Sequence, residues 1–303
     1  MMPRRVHFLS CETRRASVNG TAPRNLYART RRRLPEGVVV RNLCVELRYS
    51  GTMLRPQQVL KYAQAAAPST LLVFTDTDVV FNVKLTSEEL IQRFEVARAG
   101  ARVLFQADQT CFAPREELIG GRRRPRTLCS EQMLHAYATV HGRRPWDCSR
   151  FLNAGGYAGY AEDLLPILRL WSRPRSSEVQ PCTERPRFGW DDQCVATSLL
   201  LRHNASIALD TGEAIFAAAA AVRPCTANRA KCWECGRPKE VDDKRRPRCE
   251  FDDALAWEQR VDGLYRPSSY LRRCGTALAP LAIHFNGPAK RLVAHPMIQS
   301  LSR

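Results

Sequence analysis

Two aspartates stand two residues apart at the end of an apolar run. Leu71, Leu72, Val73, Phe74 and Thr75 lead into Asp76, Thr77 and Asp78. Continuous apolar runs of this length are typical of strands buried in parallel sheets. In an extended chain the side chains at i and i+2 point the same way, so both carboxylates emerge together. Two hard oxygen donors so placed suit Mg2+ or Mn2+, with phosphate oxygens completing the shell. Strand carboxyl ends are also where ligands bind in open α/β sheets. The same residues read as a simple acidic turn, so the pair needs support from elsewhere in the chain.

Support comes from Ile283, His284, Phe285, Asn286, Gly287, Pro288, Ala289 and Lys290. A neutral ring nitrogen of His284 would complete a metal site. Asn286 and the Gly287 backbone can approach a phosphate closely, and Lys290 can neutralise charge on a departing diphosphate. The plainer alternative is a structural histidine beside a Gly-Pro turn. A third segment, residues 151–161, carries the paired glycines Gly155 and Gly156 behind Asn153. It lacks the G-x-G-x-x-G spacing of a dinucleotide site, and reads either as a ligand-approach segment or as a tight turn before a helix. Asp191 and Asp192 precede an apolar helical stretch at residues 195–201. They are either helix caps or carboxylates for a sugar hydroxyl or the reacting centre.

The elements that would position these residues alternate. Residues 6–9, 38–47, 71–74 and 103–105 read as strands, and residues 54–67 and 162–171 as helices. Thr86 and Glu89 form a capping-box pattern that starts another helix, with Gly100 as its stop. This alternation predicts an α/β fold with a mostly parallel, Rossmann-like sheet and flanking helices. The Ala-rich residues 214–222 favour helix, and residues 120–126 read as a basic loop. Residues 173–188 and 223–249 read as insertions within a single domain spanning 1–303, the first of them mobile.

The 303 residues carry 47 Lys and Arg against 30 Asp and Glu, a net charge of +17 that attracts polyanions and phosphorylated ligands. No helical basic face or aromatic-interleaved basic patch appears, which weighs against nucleic acid as the partner. No apolar run approaches the roughly 18 residues needed to cross a bilayer. The 12 cysteines are even in number and fit a disulfide-bearing protein. Cys225, Cys232, Cys235 and Cys249 contain one Cys-x-x-Cys, which favours disulfides or thiols over a zinc site. The cysteines and the glycosylation patterns at Asn19 and Asn204 point to the secretory lumen. Residues 1–5 are too short for a signal peptide, which points to an incomplete N-terminus or else to the cytoplasm.

Together these segments resemble the glycosyltransferase domain of the procollagen lysyl hydroxylases, the PLOD family. The matching runs are Phe-Thr-Asp…Asp-Val-Val-Phe at 74–81, Phe-Gln-Ala-Asp at 105–108 and the Asn-Ala-Gly-Gly-Tyr segment at 151–161. Asp-Asp-Gln at 191–193, Leu-Asp at 209–210 and His-Phe-Asn-Gly-Pro-Ala-Lys at 284–290 follow in the same order. The resemblance implies a GT-A fold, Mn2+ (or Mg2+), and transfer of a hexose (glucose or galactose) from a UDP-sugar with retention. The acceptor it implies is a hydroxyl of a protein or glycan, such as hydroxylysine-linked galactose. It assigns Asp76, Asp78 and His284 to the metal, and Thr75, Asp76, Thr77, Asn286, Gly287 and Lys290 to the donor. It places Asp191, Asp192 and Asn153 at the reacting centre, and Asp108, Gly155 and Gly156 on the acceptor side. The acidic motif is one residue shorter than the family's usual Asp-x-x-Asp. Two other readings stand beside it: the same fold acting on an acidic glycan or nucleic acid, and a binding module without catalysis.

Overall fold

The computed structural model describes residues 5–13, 30–45, 47–108, 118–119, 122–123, 151–175, 177, 179, 182, 189–218, 257–262, 268–273 and 279–285. Its main sheet has six strands. These are β1 (Val6–Ser10), β2 (Val39–Asn42), β3 (Leu71–Thr75), β5 (Val103–Asp108), β8 (Phe151–Tyr160) and β9 (Ile207–Asp210), in the spatial order β2-β1-β3-β8-β5-β9. The β1–β2, β1–β3 and β5–β9 pairs are parallel, and β8 runs antiparallel to both of its neighbours. A smaller sheet joins β4 (Val79–Phe81), β10 (Phe216–Ala218) and β13 (Ala282–His284), with β13 in the middle. Two antiparallel ribbons pair β6 (Leu118–Ile119) with β7 (Arg122–Arg123), and β11 (Trp257–Asp262) with β12 (Ser268–Arg273). The mixed α/β architecture with a mostly parallel central sheet is the one the alternation predicts.

Strand side chains alternate between the two faces of this sheet, and each face has its own core. Leu9, Leu72, Phe74, Val103 and Phe105 pack with helices α1 (Leu54–Ala65), α3 (Ala161–Ser172) and α4 (Asp192–Arg202). Phe8, Leu71, Val73 and Leu104 pack with helix α2 (Ser87–Arg98) and the smaller sheet. Tyr157 lies at the centre of the first core, stacked on Phe74 at 4.8 Å between ring centroids and edge-on to Trp171 at 5.1 Å. Helix α2 begins at the expected capping box: the Thr86 hydroxyl accepts from Glu89 N–H, and the Glu89 carboxylate accepts from Thr86 N–H. It ends with Ala99 at φ 47° and Gly100 at φ 88°, so the left-handed turn begins one residue before the glycine.

Three local expectations change. Residues 151–161 do not form a turn: they are the ten-residue strand β8, buried from Leu152 onward. Small residues let this strand lie between close neighbours. A Cβ at Gly159 would come within 2.9 Å of Leu164 Cγ. The Ala-rich stretch is not helical where it is described, because residues 216–218 form β10. Asp210 redirects the backbone there: its carboxylate accepts the N–H groups of Ala214, Ile215 and Phe216 at 2.8–2.9 Å. Tertiary pairing with β13 then overrides the helix propensity of alanine. Within residues 173–188, Val179 and Cys182 are buried in the first core, and Cys182 is disulfide-bonded to Cys194 of α4. A second disulfide, Cys11–Cys44, ties the exit of β1 to the exit of β2. Residues 223–249, with their four cysteines, lie outside the described residues. No described helix is long and apolar enough to cross a membrane.

The Asp210 carboxylate is the anchor of this second sheet. Asp210→Ala would leave three buried N–H groups unpaired at about 1–3 kcal/mol each. Urea denaturation of that variant should show a loss of at least about 3 kcal/mol, with Asp210→Asn recovering part of it.

Candidate metal centre

Strand β3 ends at Thr75, the chain bends through residues 76–78, and β4 begins at Val79 in the other sheet. The two carboxylates therefore converge through a bend between two sheets, and not along one continuous strand. Hydrogen bonds fix both ends of the bend. Asp76 N–H donates to Gly155 O at 2.8 Å, and Phe285 N–H donates to Asp78 O at 2.9 Å. Antiparallel pairing sets His284 opposite Val79, beside Asp78. Its Nε2 lies 3.0 Å from Asp78 Oδ1 and 3.8 Å from Asp76 Oδ2.

The ligand atoms of Asp76, Asp78 and His284 lie within 4.8 Å of one another. Two metal–ligand bonds of about 2.1–2.4 Å span up to about 4.8 Å, so one ion can reach all three. Two carboxylates and one imidazole suit a hard-to-borderline divalent cation, and three protein ligands leave positions for other oxygens. Burial alone would lower the His284 pKa. The Asp78 and Asp76 carboxylates, the hydrogen bond to Asp78 and the more distant Asp108 outweigh it and hold the pKa above 6.5.

The sequence reading missed Arg55, at the start of α1. Its guanidinium donates to both oxygens of Asp76, at 2.6 and 2.7 Å, and pairs with Asp192 at 3.0 Å. Desolvation would lower its pKa, but Asp76 and Asp192 raise it. Asp192 is 3% exposed. Burial pushes its carboxyl up to about 6, while Arg55 opposes the shift and Asp76 and Asp191 add to it. Backbone contacts also hold Asp192: its N–H donates to the Thr52 hydroxyl, and its carbonyl accepts from Trp171 Nε1. Asp191 beside it is the N-cap of α4, accepting from Cys194 N–H at 3.0 Å. The acidic pair thus divides into a cap and a buried ion-pair partner. A basic residue opening the helix before the acidic strand is the signal that would have pointed to Arg55.

Asn153 and Asp108 pair with each other, Asn153 Nδ2 donating to Asp108 at 2.8 Å, while Asn153 Oδ1 accepts from Gly155 N–H at 2.7 Å. Thr75 is buried at the end of β3, and Thr77 donates to the Glu12 carboxylate at 2.9 Å. Gly155 and Gly156 admit protein side chains: a Cβ at Gly155 would come within 2.3 Å of His284 Cε1, and one at Gly156 within 2.8 Å of Gln106 Oε1. Asn286, Gly287 and Lys290 lie outside the described residues.

The chain matches no protein-family model. Over 102 residues it is 28% identical to the Procollagen-lysine,2-oxoglutarate 5-dioxygenase of Drosophila melanogaster. That similarity covers 33% of this chain and 11% of the relative's length.

A metal must displace any proton on the ligating nitrogen of His284. Because the carboxylates hold that proton on above pH 6.5, Mn2+ affinity should rise about tenfold per pH unit up to the His284 pKa and then level off. Calorimetric titration across pH checks this, and His284→Asn should flatten the curve. Gly155→Ala, which drives a methyl group into the His284 ring, should weaken Mn2+ binding by about 10–100-fold, as loss of a ligand's orienting partner does.

Proposed function

We propose that this chain is a metal-dependent glycosyltransferase that moves a hexose from a UDP-sugar to a hydroxyl of a protein or glycan acceptor. One observation carries the reading: Asp76 and Asp78, at the C-terminal end of β3, come together with the distant His284 of β13. The distant similarity to a procollagen-lysine dioxygenase supports it, as does the order of motifs along the chain. We read residues 1–303 as one domain with insertions at 173–188 and 223–249.

Asp76, Asp78 and His284 would hold Mn2+ or Mg2+, which supplies Lewis-acid stabilisation of charge on a nucleoside diphosphate. The chain's own residues do the rest. Arg55 holds Asp76 in one orientation, and a carboxylate so fixed needs no rearrangement when the donor binds. Asn286, Gly287 and Lys290 would take the diphosphate. Asp192, buried and tethered through Arg55, would orient a sugar hydroxyl, with Asn153 and Asp108 supporting the floor beneath the acceptor. In the reaction the bond from the anomeric carbon to the diphosphate oxygen breaks and a bond to the acceptor oxygen forms. The products are the glycoside, UDP and the proton lost from the acceptor. The two disulfides fit an oxidising compartment, which favours the secretory lumen.

Incubation with Mn2+ and a panel of UDP-sugars should release UDP, and a chelator should abolish release. Folded protein that releases none with any donor would sink the enzyme reading. Asp78→Ala should lower the rate by about 100-fold or more, the scale of losing a main electrostatic contribution. An Asp78→Ala variant with full activity would refute the metal assignment.

A further inference from the structure

We propose that Gln106 is a positioning residue that sets which nitrogen of His284 can bind a metal, and that Gly155 and Gly156 shape the slot holding the two side chains together. The inference rests on the metal reading above. A neutral imidazole carries one proton, and a metal-ligating nitrogen must be bare. Nε2 of His284 faces Asp78 and Asp76, so it is the nitrogen a cation shared with them would take; with that cation bound, the proton belongs on Nδ1 and needs an acceptor there. Gln106 Oε1 lies 3.2 Å from Nδ1. The opposite amide orientation would present an NH2 group to Nδ1. It would force the proton onto Nε2, facing the cation.

The backbone supports this pairing. Between Phe105 and Gln106 the register of β5 on β8 shifts, from Tyr157 to Asn153, so residues 154–156 have no paired residue on β5. This irregularity opens the ladder where the Gln106 and His284 side chains meet. The two consecutive glycines lie in it. A methyl group on Gly155 would collide with the His284 ring, and one on Gly156 with Gln106 Oε1 at 2.8 Å. Each glycine therefore clears one half of the couple. Gln106 is 1% exposed, and its Nε2 has no hydrogen-bond partner among the described residues. An apolar residue placed there for packing would avoid that cost. What the amide supplies in return is the carbonyl oxygen against His284. A histidine ligand whose second nitrogen lacks its partner binds metal about 10–100-fold more weakly.

Mn2+ binding measured by calorimetry at fixed pH, on protein shown by circular dichroism to be folded, separates the outcomes. Gln106→Leu should weaken binding by about 10–100-fold. Gln106→Glu keeps an acceptor and should bind no more weakly than the unsubstituted protein. Equal binding by Gln106→Leu and the unsubstituted protein would overturn this inference and leave the metal reading intact. Failure of the unsubstituted protein to bind Mn2+ would overturn both. A measurement that needs no variant to fold is the 15N spectrum of His284 in the protein loaded with diamagnetic Mg2+. A protonated Nδ1 supports the assignment, and a bare Nδ1 overturns it.

Discussion

The site is organised around a charge-balance problem. Asp76, Asp78 and Asp192 are gathered beyond the C-terminal end of β3, and Asp192 is almost wholly buried. Carboxylates in so small a volume repel one another and lose their hydration. Arg55 answers part of this by binding Asp76 through both oxygens and reaching Asp192 with its other nitrogen. A planar guanidinium can do this where an ammonium cannot, because its donors are fixed in a fork. Asp78 turns the other way, toward His284. Asp76 is therefore shared between a permanent protein cation on one side and the His284 side on the other. The start of α1, the end of β3 and the start of α4 are held together by that guanidinium.

The sheet supplies the second constraint. Strand β8 is antiparallel between two strands of an otherwise parallel sheet. Its Gly155 carbonyl holds Asp76, its Asn153 holds Asp108, and its glycines give room to His284 and Gln106. The ring of Tyr157, four residues after Asn153, fills the core behind with Phe74, Phe105 and Trp171. Site and core thus meet on one strand. A change at either glycine would act on the metal-binding side, and a change at Tyr157 on packing.

Much of the scaffold was legible because its signals are local. The apolar run at 71–75, the Thr86–Glu89 capping box and the 54–65 helix each depend on residues within a turn or a strand of one another. The errors came where a local signal met a tertiary demand. Paired glycines read either as a ligand-approach segment or as a turn, yet their lack of side chains is what allows a buried strand to lie against His284 and Gln106. Alanines suggested helix, yet three N–H groups bound by the Asp210 carboxylate, together with pairing to β13, produce a strand. Within 173–188, which reads as polar and loose, Val179 and Cys182 are buried in the core.

By itself the sequence determined the donor types and their order: two carboxylates after an apolar strand, a distant histidine, and an acidic pair before a helix. Those follow from side-chain chemistry and short-range periodicity. Only the tertiary structure decided how they combine. The bend between two sheets brings Asp76 and Asp78 together, and pairing of β4 with β13 places His284 beside them. Helix packing assigns Arg55 to Asp76 and Asp192, and capping geometry separates the role of Asp191 from that of its neighbour. These outcomes depend on register and on distances between remote segments, and no spacing along the chain encodes them.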